Sequence, residues 1–427
     1  KYSRATSKDM DVENINRWAR IKGLQVVGTG DFTHPEWLKE LKTQLEPAET
    51  GLFKFKEKKN KEVDHDWLPV KKGKEEKSPR FILTAEVSCV YSKNEQTKKI
   101  HLILVAPDFK TVEKINSRLN WVGNLKADGR PILAIDAEEL VKIVMSASAR
   151  CLIIPAHVWT PWFGLFGTEA GFDSIAECFG EYAQYIYGIE TGLASDPAMN
   201  WCWSALDKMT LISNSDAHSP SRLGREFNVF ELKRLSYKNI IEAIQLGPQA
   251  GENDNRLFQT IEFYPQESKY YYTGHRKCQV CLDLEESKRL KGICPKCGRA
   301  LTMGVMQRIS QLADQKESEE SQKRIPFQSL IPLEEIIAEA LGIGVATKGV
   351  AEEYKSLIQR FGSEINILLN LETEVIQKGC LPEVGEAFKR AKSGQVKIEP
   401  GYDGEYGKIN LFGPEERNDL SLQSALF

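Results

Sequence analysis

Cys278-x-x-Cys281 and Cys294-x-x-Cys297 place four thiols in two knuckles twelve residues apart, the spacing at which a chain closes a tetrahedral zinc site. Thiolates suit a closed structural site, whereas imidazoles and carboxylates suit a catalytic centre that leaves a position open for water. Donors of the second kind lie upstream: Asp31, Glu86, His101, His157, Asp216 and His218. Only six histidines occur in 427 residues. Four of them, His34, His101, His157 and His218, fall within a few residues of a predicted strand boundary with Asp31 and Asp216 alongside, a pattern that favours a metal cluster over scattered structural histidines. His65, in a lysine-rich stretch, and His275, beside the first knuckle, read as non-catalytic.

The elements that must position these groups follow from the apolar runs. Residues 24–27 end at Gly28-Thr29-Gly30-Asp31; residues 81–90 carry Glu86; residues 101–105 begin with His101. Residues 151–155 lead into Ala156-His157, and Leu211-Ile212 leads into Ser213-Asn214-Ser215-Asp216-Ala217-His218. Helical periodicity over 137–145 and 172–186 lies between such runs and suggests parallel βα units. If these close into a barrel, the site gathers at the C-terminal strand ends, where Asp31, His157, Asp216 and His218 fall; His101 and Glu86 fit that frame less cleanly. Downstream, Leu333, Ile336, Ile337, Ala340 and Leu341 mark an amphipathic helix opened by Pro332, and further helical runs span 351–361 and 363–378. Residues 54–77 are rich in lysine and poor in apolar side chains, and read as an insertion, either a loop near substrate or, the favoured reading, a solvated excursion.

At this length, two or three domains are expected. With 41% hydrophobic and 27% charged residues, no apolar run near the roughly 20 residues that span a bilayer, and no export signal, a cytoplasmic location without membrane contact is expected. The five cysteines outside the knuckles read as reduced thiols. A net charge of −3 gives the whole molecule no case for nucleic acid. Residues 275–300, however, carry seven basic side chains against three acidic ones; counting a zinc tetrathiolate leaves about +2 on a compact knob, enough for phosphate contacts without strong binding.

The blocks "KYSRATSKDM", "GTGDFTHP", "LTAEVSC", "KKIHLILVAP", "IIPAHVWTPWFGLFG", "GIETGLASDP", "NSDAHSPSRLGRE" and "GHRKCQVC", with "EPGYDGEYGKI" near Tyr402, resemble the endonuclease Q family of DNA repair nucleases, built on a polymerase and histidinol phosphatase (PHP) domain. The resemblance implies an α/β fold: a distorted (βα)7 PHP barrel over residues 1–265, a four-cysteine zinc domain over 266–310, a helical C-terminal DNA-binding domain over 325–412 and a polar tail over 413–427. It implies cleavage on the 5′ side of a deaminated base (uracil, hypoxanthine, xanthine) or an abasic site, with damaged DNA as partner. It also implies a structural Zn2+ held by Cys278, Cys281, Cys294 and Cys297, and divalent Zn2+, Mn2+ or Mg2+ held by Asp31, Glu86, His101, His157, Asp216 and His218, with Asp216, His218 and Glu86 catalytic. The His-x-His with which the family opens does not occur in this sequence, which implies a truncated N-terminus or a fragment lacking the first barrel strand, and one ion short of two imidazoles. Phe32 stands where many PHP domains have histidine, with His34 as a substitute.

Selecting a damaged base requires taking it out of the stack. Glu190, Ser195 and Asn214 are the candidate substrate-binding groups, and Trp159, Trp162 and Phe163 the candidate stacking or wedge residues; the competing reading makes the aromatics core and the polar residues loop caps. Gln423, Leu426 and Phe427 form a Q-x-x-L-F peptide of the kind that docks on a DNA sliding clamp. Two other classes stand beside the nuclease: a PHP-type phosphomonoesterase acting on a small metabolite, and a zinc-stabilised DNA-binding protein without catalysis.

Overall fold

Asp11 starts the first helix, Val12–Lys22, by accepting a hydrogen bond from the Asn14 N–H, which satisfies one of the donors a helix N-terminus leaves open. Gly23 ends it at φ 90°, a conformation costly for any residue with a Cβ. A Cβ there would also lie 2.5 Å from Ser363 Oγ. The helix therefore stops where the N-terminal region meets a C-terminal helical unit. The computed structural model describes residues 1–57, 78–315, 324–413 and 416. The lysine-rich stretch beyond residue 57, with His65, and the peptide bearing Gln423, Leu426 and Phe427 lie outside the described residues.

The fold is mixed α/β. One seven-stranded sheet is centred on Arg80–Lys93, which pairs in parallel with Val26–Gly28 and Ile132–Leu133 and antiparallel with Gln96–Ala106. Leu152–Pro155 then joins Gln96–Ala106, again antiparallel. Gly188–Glu190 and Thr210–Ile212 form a separate parallel pair, and Phe227–Glu231, Arg256–Glu262 and Phe327–Ser329 a three-stranded sheet.

The expectation of parallel βα units holds for the pairs Val26–Gly28 with Arg80–Lys93 and Gly188–Glu190 with Thr210–Ile212, and is corrected over residues 80–106. Residues 80–106 are one long hairpin, register Lys93↔Gln96, whose two linking residues Asn94 and Glu95 take φ 52° and 61°. Two consecutive left-handed residues make the type I′ turn that suits the twist of a hairpin, and a two-residue link cannot make a parallel crossover. The hairpin also resolves the awkward placement of Glu86 and His101. The register Ser88↔His101 and Glu86↔Ile103 brings them onto adjacent strands, in mid-strand positions and away from the strand ends.

Ile82, Val105, Ile154 and Ile212 from four strands meet Ile240, Ile241 and Ile244 of the helix Tyr237–Leu246 in one apolar cluster. A larger cluster packs the helices Phe109–Leu119 and Ala137–Ala147 against the seven-stranded sheet. The helices Leu333–Leu341, Lys348–Phe361 and Pro382–Lys392 enclose a core of their own, with Ile336, Leu357, Ile367 and Phe388 buried. The periodic run at 363–378 is broken into a π-turn at Asn366–Asn370 and a short helix at Thr373–Gln377. No helix among the described residues is long and apolar enough to cross a membrane.

The C-terminal unit is tied to the N-terminal region by ion pairs. Lys22 and Glu364, each with 3% of its side chain exposed, are bonded to one another. The same carboxylate accepts from the Tyr354 hydroxyl at 2.6 Å and the Leu333 N–H at 3.2 Å, and Arg222 reaches Glu334 and Glu335. Removing one member of a buried pair leaves the other charge desolvated and uncompensated. Lys22→Met is expected to lower unfolding free energy by about 3 kcal/mol in urea titrations, and adding Glu364→Gln to recover most of that loss. Equal loss in the single and double variants would mean that Lys22 acts through packing alone.

Candidate metal centre and its surrounding mouth

Three of the strands that feed the site end in short, tightly held loops. Asp31, His157 and Asp216 sit two to four residues beyond Val26–Gly28, Leu152–Pro155 and Thr210–Ile212, and all three have positive φ: 49°, 31° and 42°. Non-glycine residues rarely adopt this region, and they cluster at functional sites when surrounding contacts enforce it. Those contacts are visible. The His157 N–H donates to Glu190 Oε2 at 2.8 Å, and Arg225 donates to the Ser215 and Asp216 carbonyls. Asp31 Oδ1 accepts from Ser3 Oγ at 2.8 Å.

Three donors converge at the centre. Glu86 Oε1 lies 2.8 Å from His101 Nδ1 and 3.4 Å from His157 Nε2, and the two ring nitrogens are 3.0 Å apart. All three ligand atoms fall within 4.8 Å of one another. Thr160 settles the orientation of His157: its hydroxyl donates to the His157 carbonyl, so the same oxygen accepts from Nδ1–H at 2.9 Å. The Nε2 lone pair then faces Glu86 and His101, the arrangement of an imidazole ligand steadied by an outer partner. One carboxylate and two imidazoles with convergent lone pairs fit a divalent cation of the zinc or manganese kind.

The electrostatics agree. Burial alone would raise Glu86, but its bonds to His101 and His157 hold its carboxyl well below the ordinary range. Burial lowers His101 to about 4 despite Glu86. Burial also opposes charge on His157, yet Glu86 outweighs it and brings that group to about 9. The two imidazoles are thus driven apart, and a proton on His157 competes with a cation for one lone pair.

Around this centre a cavity of about 650 Å³ opens, whose lining includes Asp31, Glu86, Arg130, His157, Glu190, Asn214, Asp216 and His218. Asp216 and His218 are each 41% exposed, with Nδ1 of His218 3.7 Å from Asp216 Oδ1. His101 is buried behind the other donors, its ring stacked on Phe163 at 4.4 Å. His34 stays outside the group, buried and stacked on Tyr2 at 4.1 Å, while Phe32 is fully buried core.

The candidate base-reading residues divide. Glu190 Oε1 accepts from Asn214 Nδ2 at 2.8 Å, and Asn228 holds the Asn214 loop by bonding both the N–H and the carbonyl of Ser213. Glu190 and Asn214 therefore join the loop bearing His157 to the loop bearing Asp216. Burial pushes Glu190 up to about 7. Ser195 does not line the cavity; it is buried, with its hydroxyl donated to the Thr191 carbonyl, as a loop cap is. Trp159 is core, its indole N–H donated to Asn200, whereas Trp162 remains 38% exposed with its ring edge against Tyr270.

The second group of convergent donors differs from the four-cysteine set expected from the spacing in taking His275 in place of Cys281. His275, Cys278, Cys294 and Cys297 bring their ligand atoms within 4.8 Å of one another, and Cys297 Sγ is 3.3 Å from His275 Nδ1. Cys281 lies outside the group. It belongs to the strand Val280–Leu282, whose neighbours Val280 and Leu282 are buried while Cys281 is exposed, so strand alternation turns it to the opposite face. Antiparallel pairing with Thr273–His275, register His275↔Val280, carries the histidine in. Burial raises the Cys294 thiol, but bonds from His275 and the N–H groups of Lys296 and Cys297 outweigh it and bring it to about 6, favouring the thiolate a metal needs. Three sulfurs and a nitrogen fit tetrahedral zinc.

Similarity to known proteins follows the same geometry. Residues 332–395 match the MJ0043 C-terminal domain family. The chain is 34% identical over 267 residues to the uncharacterized protein MJ0043 of Methanocaldococcus jannaschii, covering 61% of this chain and 32% of that protein, and so spans about a third of that relative's length. It is 27% identical over 393 residues to the uncharacterized protein YqxK of Bacillus subtilis, covering 91% of this chain and 89% of that one. Among solved structures, the lesion-specific endonuclease PfuEndoQ from Pyrococcus furiosus superposes with a TM-score of 0.79 at 33% identity, covering 98% of this chain and 96% of its own. An endonuclease Q in complex with a 27-mer duplex substrate bearing an abasic lesion at the active site superposes at 0.80 and 33% identity, covering 97% of this chain and 94% of its own. With one residue in three identical and nearly the whole length of both chains superposed, the chain belongs to the endonuclease Q family.

Proposed function

We propose that this protein is a metal-dependent DNA repair endonuclease that hydrolyses the phosphodiester on the 5′ side of a deaminated base or an abasic site. The observation that carries the proposal is the convergence of Glu86 Oε1, His101 Nδ1 and His157 Nε2 in a mouth shared with Asp31, Asp216 and His218, within a fold that superposes on an endonuclease Q holding an abasic duplex. Glu86, His101 and His157 would hold a divalent cation, with Asp31, Asp216 and His218 serving a second from the rim. The chemistry such cations supply when bound is neutralisation of charge on the phosphate and acidification of water. Asp216, on a loop fixed by Arg225, is placed to take a proton from the attacking water or to serve as a ligand.

Lesion choice follows from cavity shape. A base still in the stack hides its Watson–Crick edge, so reading it requires extrusion into a pocket. Asn214, in the cavity lining and backed by buried Glu190, offers amide groups to a base edge, and Trp162 offers an exposed ring. Asn214→Ala is expected to reduce cutting at uracil by about tenfold relative to cutting at an abasic site, since only the former presents a base edge to bond. An unchanged ratio in parallel assays would remove Asn214 from base selection. The knob built on His275, Cys278, Cys294 and Cys297 adds a zinc-stabilised platform of seven basic residues for phosphate contacts.

End-labelled duplexes carrying a single uracil, hypoxanthine or abasic site, incubated with Mn2+ or with chelator and mapped at nucleotide resolution, test the reading. Metal-dependent breaks on the 5′ side of the lesion are expected. Cutting of undamaged duplex at the same rate, or release of phosphate from monoesters only, would refute it.

A further inference from the structure

Arg130 stands closer to the metal-type carboxylate than any catalytic assignment above requires. Its Nη1 lies 3.2 Å from Glu86 Oε1 and 3.4 Å from Oε2, and its side chain is 30% exposed at the mouth of the cavity. The loop beneath it is anchored from several directions. The Arg130 N–H donates to Asp128 Oδ1 at 2.9 Å, and Pro131 restricts the backbone that follows. The Pro131 carbonyl accepts from the Ser88 N–H, the Gly129 N–H donates to the Tyr2 carbonyl, and Thr33 donates to the Gly129 carbonyl. Gly129 packs so closely on Asp31 that a Cβ there would lie 2.2 Å from Oδ2. The sequence thus holds one guanidinium rigidly against one carboxylate, which is the preorganisation a catalytic site needs.

Charge explains why. The cavity lining carries the carboxylates of Asp31, Glu86 and Asp216, which repel a phosphodiester. Among the described residues, lysine and arginine enter the lining only at Lys1 and Arg130, and both ammonium groups of Lys1 are already paired, the side chain with Glu40 and the N-terminus with Asp31. Both contacts of Arg130 with Glu86 use Nη1, and the guanidinium fork has a second edge of donors that matches two phosphate oxygens.

Resting on the endonuclease reading, we propose that Arg130 is a catalytic residue that donates to a non-bridging oxygen of the scissile phosphate, sharing Glu86 with the cation and stabilising the charge that builds as the phosphate is attacked. Arg130 keeps its proton throughout and exchanges no atoms with the substrate.

Arg130→Ala, Arg130→Lys and wild type are compared on an abasic-site duplex, with Mn2+ binding measured separately by electron paramagnetic resonance. Arg130→Ala is expected to lower kcat by about 10²–10³-fold with KM changed less than about threefold, and Arg130→Lys to restore no more than about a tenth of the activity because it lacks the fork. Mn2+ affinity should hold or tighten in Arg130→Ala, since a cation competing for Glu86 is gone. Parallel loss of Mn2+ affinity and kcat would show that Arg130 merely positions Glu86, and an unchanged kcat would show that it does neither; both overturn the proposal. Absence of cleavage by wild type would instead strike the endonuclease reading itself.

Discussion

Asp216→Asn lowers cleavage of an abasic-site duplex by about 10³-fold or more, while duplex affinity stays within about threefold. The expectation rests on where the residue sits. Asp216 occupies left-handed backbone at φ 42°, a region that asparagine adopts more readily than most residues, so the substitution adds no strain. The loop keeps its shape because Arg225 bonds the Ser215 and Asp216 carbonyls, which the variant retains. What is lost is a negative charge on a side chain 41% exposed to the mouth and 3.7 Å from His218. That charge is needed whether Asp216 binds a cation or accepts a proton, and it contributes nothing to attraction for DNA. Single-turnover cleavage with a parallel binding titration separates the two quantities. Near-normal cleavage by the variant would remove Asp216 from the chemistry.

The second large effect concerns the zinc-type knob. Its apolar core consists of Val280, Leu282 and Cys294 with Cys278, Leu290 and Leu301 packed against them, too little burial to hold a unit this small without a staple. On the reading that this group holds zinc, metal binding supplies much of the knob's folding free energy, on the order of 10 kcal/mol for structural zinc in small domains. Cys294→Ala is expected to abolish zinc retention, to open the hairpin of Thr273–His275 and Val280–Leu282, and to weaken duplex binding by about tenfold or more. Cys281→Ala should retain about one zinc per chain, and His275→Ala should weaken zinc affinity by about tenfold to a hundredfold. Zinc content after dialysis against a weak chelator measures all three. If Cys281→Ala lost its zinc as completely as Cys294→Ala, the ligand set would be four cysteines, and His275 a neighbour only.

These two sites show what kind of information the chain carries on its face. The Cys-x-x-Cys knuckles are local and were visible as spacing, but His275 joins them through strand pairing, because register His275↔Val280 decides which side chains share a face. Cys281 leaves for the same reason. Asp31, His157, Asp216 and His218 were legible because each follows an apolar strand within a few residues. Glu86 and His101 were harder, since their meeting depends on a hairpin turned at Asn94-Glu95, which lacks the glycine that usually signals such a turn. The helices Ala137–Ala147 and Leu333–Leu341 were legible because their apolar stripes are long and regular. Ser195, Trp159 and His34 were overread: a polar or aromatic residue near a strand end looks alike in sequence whether it faces a cavity or the core. Arg130 gave no signal at all, because nothing local marks an arginine forty-four residues from the carboxylate it meets.

The most direct measurement is anomalous diffraction from a crystal of the protein soaked in Mn2+. The account predicts a manganese peak bonded to Glu86, His101 and His157 at about 2.2 Å, with Asp216 and His218 bordering it. Anomalous peaks confined to surface carboxylates, in crystals of protein that cuts abasic DNA, would contradict it.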